Sequence, residues 1–204
     1  MRTVVSERGR LASVSLTLLD WRRRTQAMYA AVRRSPDPQD AWLGWRAARD
    51  RLFRTHPDTP LLEPAAHREL PFAPYDPALR FVAPVLPAEP ATHAVPVSEG
   101  TVQLTRVGRV ELPVGSLDLW WLGGYAGGLF VPFADATNRD TTYGGGRYLI
   151  DTVKGADLGG DSDGLLLDFN FAYHPSCRYN PRWSCPLAPA GNRLDVPIVA
   201  GEQL

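Results

Sequence analysis

Between Pro57 and Val97 the chain carries ten prolines. Each removes a backbone donor and fixes φ, so neither a continuous helix nor a central strand can run through this stretch. It must wrap as extended pieces, and it divides the 204 residues into a helical part before it and a β-rich part after it. On the helical side, Leu18, Trp21, Met28, Tyr29 and Val32 recur at helical spacing with arginines on the opposite face. Ser35-Pro36 breaks that helix. Asp37, Pro38 and Asp40 then supply an N-cap, a proline at the first helical position and a first-turn acid. The second helix sets Trp42, Trp45, Leu52 and Phe53 on one stripe and stops near His56-Pro57. These aromatics read as core packing, and the two helices as an αα-hairpin laid against the rest of the protein.

After about Leu79 the texture changes to short runs with β character, at 79–86, 101–107, 109–114, 116–122, 128–133, 147–153, 165–171 and 196–199, most separated by Gly, Pro or Asp turns. Many short strands at near-regular spacing argue for an antiparallel β-barrel or sandwich rather than a parallel βαβ sheet. The expected protein is therefore mainly β with N-terminal helices, the barrel being the favoured form. Its parts are a helical hairpin over 1–56, a proline-rich wrap over 57–97 and a barrel with a Cys/Pro-rich C-terminal loop over 98–204, all in one structural unit.

With 44% hydrophobic residues the chain can bury a substantial core. Of its cations 21 are arginine and only Lys154 is lysine, the mark of a GC-rich genome. The net charge is zero, yet residues 1–54 hold 12 arginines against five acids, so the front is basic and the rest acidic. Arg22, Arg23 and Arg24 come with no nucleic-acid motif and read as a solvated helix face. The first twenty residues lack a signal-peptide pattern, and no apolar run reaches bilayer-spanning length. The expectation is a cytoplasmic protein with no nucleic-acid or membrane partner and with reduced cysteines. Homo-oligomerisation is left open.

Three phrases near the end, GGGRYLIDTVKGA, LLLDFNFAYHPSCRYNPRWSCPLAPAGNRL and VPIVAGE, follow one another between Gly144 and Glu202. They resemble the bacterial family catalogued as domain of unknown function 1684, which shares a glycine-led R-Y-L strand start, a D-F-N strand, an N-P-x-C-A-Y loop and a C-P-L-x-P-x-x-N-R-L close. Relative to that pattern, His174 stands where Asn is usual and Arg178 where Ala is usual. The resemblance implies no activity.

Strand alternation supplies a site hypothesis. In 165–171, Asp168 and Asn170 leave the same face, about 7 Å apart. An antiparallel neighbour starting at Arg147 would bring a guanidinium to face Asp168. Two readings stay open: a structural ion pair, or a polar floor for a small organic ligand, neutral or anionic. In the second, Asp168 is the candidate acid or base, and Arg147, Tyr148, Asn170, His174, Asn192 and Arg193 are ligand-binding. The alternative from a different class is a non-catalytic protein whose Arg-rich helices dock a partner. Whether the chain is an enzyme is not decided by its sequence.

The loop from His174 to Asn192 adds two further chemistries. His174, Cys177 and Cys185 offer at most three metal ligands at non-standard spacing, so no metal and no cofactor is expected. Cys177 or Cys185 as a reactive thiol would need an activating neighbour. The plainest reading is that both are small buried hydrophobes or approach each other as a loop staple. The run Gly144 to Gly146 leads into a strand, unlike a phosphate loop, and reads as a turn that delivers Arg147. Asp157, Asp161 and Asp163 lack calcium-loop spacing, and His67 and His93 have no partner motif.

Overall fold

The computed structural model describes residues 7–204 apart from 98, 99, 126 and 162, and of residues 7–15 the helix path alone. Helix α1 (Glu7–Arg34) and helix α2 (Pro38–Thr55) form the N-terminal hairpin. The start of α2 is built as its sequence demands: Pro38 opens the first turn, and the Asp37 carboxylate accepts from the Asp40 N–H at 2.8 Å. The stripe of Trp42, Trp45, Leu52 and Phe53 is buried. Arg49 lies on the same stripe and is buried with it.

The β part contains β1 (Arg80–Ala83), β2 (Thr92–Val97), β3 (Gly100–Leu112), β4 (Gly115–Leu122), β5 (Gly128–Phe133), β6 (Arg147–Asp151), β7 (Gly160–Asp161) and β8 (Gly164–Asp168). All pairing between them is antiparallel. They form a five-stranded sheet in the order β2-β3-β4-β5-β6 and a three-stranded sheet in the order β1-β8-β7. Two sheets, consistent with the sandwich alternative, thus stand in place of the favoured closed barrel. The reason lies at β6. Beyond β5 it makes isolated bridges, Tyr148 to Tyr173 and Asp151 to Ala156, and pairs with no further strand among the described residues, while β8 takes β1 from the proline-rich wrap as its partner.

Three other strand expectations change. The runs 101–107 and 109–114 are one strand, β3, with a register shift between Arg106 and Gly108. Strand β2 lies inside the wrap and tolerates Pro96 because it is the edge of its sheet. The stretch 196–199 pairs with no strand; instead the tail beyond it docks on the wrap, Ala73 N–H donating to the Gly201 carbonyl and Gln203 N–H to that of Pro71.

Two clusters make the core. One, with Leu117, Phe133, Leu149, Ile150 and Phe169, lies between the sheets. The other joins Tyr29, Trp42 and Trp45 of the helices to Trp120, Phe130, Tyr148, Phe171 and Tyr173. Gly201 is needed where the tail turns: its φ is +73°, and a Cβ there would sit 2.7 Å from the Ala172 carbonyl oxygen. That turn delivers Glu202 into the protein. No helix among the described residues is long and apolar enough to cross a membrane.

Candidate functional site

The Arg147–Asp168 pairing does not occur. Asp168 is in register with Arg80, whose Nε lies 3.7 Å from its Oδ2. Arg147 instead meets Asp135 at 2.8 Å, both side chains being fully buried. It also donates to the carbonyls of Ile198 and Ala200. Strand β8 stops at Asp168 because its Oδ1 accepts from the Asn170 backbone N–H at 3.0 Å and folds residues 169–171 into a 3-10 turn. Asn170 therefore leaves no strand face. Its amide is closed onto the backbone of Asp76 and onto Asp168, and its carbonyl accepts from the Trp42 indole. Asn192 is equally sealed, accepting from the Trp120 indole and donating to the carbonyls of Asp118 and Pro132. Arg193 is exposed. Of the residues singled out by sequence, only Tyr148 and His174 meet at one cavity.

That cavity, of about 60 Å³, lies between the helix pair, β6 and the chain at 173–176. Helix α1 contributes Trp21 and Tyr29, α2 contributes Trp45, Arg49 and Phe53, and the β part contributes Tyr148, Lys154, Tyr173 and His174. Lys154, half exposed at the rim, holds Asp151 at 3.1 Å and stands over the Tyr148 ring. Deeper in, the Arg49 guanidinium is stacked among Phe53 at 4.4 Å, Tyr173 at 4.7 Å and Trp45 at 5.8 Å. Arg49 reaches Glu202 at 3.2 Å. Burial works against the Arg49 charge, but Glu202 and the nearby tyrosines outweigh it and raise its pKa. Tyr29, Tyr148 and Tyr173 are pushed above the usual phenol range, chiefly by burial, so they are neutral hydroxyls.

The Glu202 carboxylate links this cavity to a second concavity. It accepts from the His174 backbone N–H at 3.0 Å and from the Tyr179 hydroxyl. His174, Tyr179 and Glu202 also line a cleft of about 250 Å³ with His67 and Arg178. The His174 ring accepts from the Tyr143 N–H through Nε2 at 3.2 Å. Burial, aided by Arg147, Arg178 and Arg49 against the pull of Glu202, holds its pKa down to about 4. It is thus a neutral ring.

Two donors in the cavity walls lack acceptors. The Arg49 Nε and Trp45 Nε1 groups are buried, and neither meets a hydrogen-bond partner. The Trp45 N–H lies beside the Tyr29 hydroxyl without reaching hydrogen-bond geometry. Such orphaned donors are uncommon in folded proteins and call for an explanation.

Asp168 borders a different concavity of about 110 Å³ with Arg33, Ser35 and Arg80. Burial raises its carboxyl pKa, opposed by the Asn170 donors, Arg80 and the Tyr75 hydroxyl. Among the described residues no group of three or more His, Cys, Asp or Glu side chains is placed to hold a metal ion.

Residues 65–203 match a family model described as a protein of unknown function, DUF1684. The chain is also similar to an uncharacterised protein of Haloarcula marismortui known from a solution NMR structure. The two are 33% identical, the match covers 78% of this chain and 90% of that one, and the TM-score is 0.56. No curated protein matches the chain.

Proposed function

The chain belongs to the DUF1684 family, and from the geometry of its helix–sheet cavity we propose that it binds a small acceptor-bearing organic molecule, a carboxylate being the best fit. The supporting observation is the pair of orphaned donors, Arg49 Nε and Trp45 Nε1, on residues that line one cavity. An acceptor group there would satisfy buried donors that otherwise carry about 1–3 kcal/mol of desolvation cost each. The stacked Trp, Tyr and Phe rings suit a flat or aliphatic body. Lys154 at the rim and Arg49 inside favour a negative head group entering from solvent. The volume of about 60 Å³ is well below the roughly 150 Å³ that accommodates benzene, and it suits a molecule of acetate size. The pocket thus moves from Asp168 to the α2–β6 interface, and Tyr148 and His174 keep the binding role that the sequence suggested.

The test is titration of the full chain with formate, acetate and propionate, followed by NMR of the Trp indole N–H signals and by thermal shift. Saturable movement of the Trp45 signal by at least one of them, lost in Ala156→Leu at a buried alanine that also lines the cavity, supports the proposal. No saturable shift with any of these carboxylates up to roughly the weak millimolar limit of specific binding overturns it.

The pocket at Asp168 favours a second reading, in which this carboxyl exchanges protons with a bound molecule. Its raised pKa and the adjoining concavity support it. Infrared titration of the Asp168 carboxyl, assigned by its loss in Asp168→Asn, tests that reading: a carboxyl titrating no higher than an ordinary aspartate removes it.

A further inference from the structure

Arg178 is a cation that the fold sets in place without giving it an anion. It ends the 3-10 turn Ser176–Arg178, which is closed by the Arg178 N–H on the Pro175 carbonyl and the Tyr179 N–H on that of Ser176. Tyr179 is fixed in turn: its hydroxyl donates to Glu202, and its ring packs on Phe53 at 5.3 Å. Arg178 is thereby held at the cleft of about 250 Å³ between the proline-rich wrap, the loop after His174 and the tail. Its Nε–H is buried and meets no acceptor. Among the described residues Arg178 takes part in no ion pair. The glutamates of the cleft are already engaged, Glu69 by Arg46 and Glu202 by Arg49, each at 3.2 Å. A buried donor left in this way carries its desolvation cost without a return bond.

The rest of the lining says what could supply that bond. Leu61, Leu70 and Pro71 give the cleft an apolar wall. The wall is held in place from behind, because the Leu70 N–H donates to Asp50 at 3.0 Å and the Pro71 carbonyl accepts from the Gln203 N–H at 2.9 Å. A rigid apolar surface therefore faces the same space as an unpaired guanidinium.

We infer that this cleft is a second binding site, for a monocarboxylate with an apolar body. Arg178 takes the carboxylate, and Leu61, Leu70 and Pro71 receive the body. The planar carboxylate matches the fork of donors along a guanidinium edge, which includes the orphaned Nε–H. A neutral ligand would leave that cation unpaired. A dianion such as a phosphate monoester would bring a second negative charge toward Glu69 and Glu202, which stand in the same cleft. The volume exceeds the roughly 150 Å³ that holds benzene, so a ring or a branched chain fits here. The helix–sheet cavity, at about 60 Å³, is too small for either. His174 is the one residue that lines both spaces, so the two sites stand or fall separately.

Fluorine NMR of para-fluorobenzoate titrated with the full chain tests the inference. The ligand signal should broaden and shift saturably. Arg178→Gln, at a side chain that holds no ion pair, should keep its Tm and bind at least about tenfold more weakly. Two comparisons need no variant: para-fluorobenzamide, the neutral isostere, and para-fluorophenyl phosphate, the dianion, should each bind at least about tenfold more weakly than the acid. Ala156→Leu, which obstructs only the helix–sheet cavity, should leave para-fluorobenzoate binding unchanged. No saturable change up to roughly millimolar ligand would overturn the inference, as would an affinity untouched by Arg178→Gln. An amide or a phosphate bound as tightly as the acid would overturn the assignment to a monocarboxylate, and loss of binding in Ala156→Leu would overturn the separateness of the site.

Discussion

Arg147→Met isolates the strongest electrostatic commitment of the fold. Arg147 and Asp135 are fully buried and meet at 2.8 Å. The same guanidinium ties down the tail through the carbonyls of Ile198, Ala200 and Glu202. Burial depresses the Arg147 pKa and Asp135 opposes that shift, so the ion is held at a desolvation cost that its partner must offset. Methionine fills much of the same space but leaves the Asp135 charge without its cation. It also strips three tail carbonyls of a donor. Breaking a buried pair in this way costs about 3–5 kcal/mol. For a chain of this size that lowers Tm by roughly 6–20 °C. Urea unfolding followed by tryptophan fluorescence measures the loss directly. In the double variant Arg147→Met/Asp135→Asn the stranded charge is gone, while Asn retains an acceptor for the Thr137 and Ile198 N–H groups that now meet Asp135 Oδ1. It should recover about 1 kcal/mol or more of the loss. A single-variant cost below about 1 kcal/mol, or a double variant less stable than the single by the full cost of Asp135→Asn alone, would refute the claim that Arg147 is structural.

Asp168→Asn should cost less, about 1–2 kcal/mol, because the replacement still accepts from Asn170 and the lost partner, Arg80, is a third exposed; a loss as large as that of Arg147→Met would contradict this assignment. His174 makes stability fall in acid. The folded ring titrates at about 4 and the unfolded one near 6.5, so the unfolded state takes up the proton first as pH drops through this window. The stabilisation is complete above about pH 6.5, and roughly 3 kcal/mol is lost by about pH 4. His174→Gln should flatten that acid limb in denaturant titrations, and parallel limbs would disprove the assignment. Deleting residues 1–56 uncovers the aromatic cluster of Trp120, Tyr148, Phe171 and Tyr173, each side chain worth roughly 1.5–3 kcal/mol when buried. The product should be insoluble or molten, and a soluble truncation with unchanged Tm would overturn this.

What the sequence made legible was local. Asp37-Pro38 and the period of Trp42, Trp45, Leu52 and Phe53 specify α2 without outside help. Short β-rich runs bounded by Gly, Pro or Asp turns placed β4, β5 and β6 correctly. Strand alternation failed at Asp168, where a side chain competes for the backbone and ends the strand. The partner of β8 could not be read at all. The run 79–86 was expected to be a strand and β1 lies within it, but its pairing is set by register between Arg80 and Asp168, 88 positions apart. That one non-local choice separates two sheets from a barrel, and it also separates Arg147 from Asp168.

The cavity was hidden for a related reason, since its walls come from parts of the chain that share no motif. One signal was nevertheless present. Arg49 falls on the apolar stripe of α2, four positions after Trp45 and four before Phe53. A charged residue on a core-facing stripe must find a partner inside or leave water at a heavy cost. Glu202, the acid in the VPIVAGE phrase, is that partner, and Gly201 before it provides the turn that brings the carboxylate inward. The same carboxylate holds the His174 N–H and the Tyr179 hydroxyl. Helix α2, the tail and the Cys-bearing loop are therefore fastened at one buried charge.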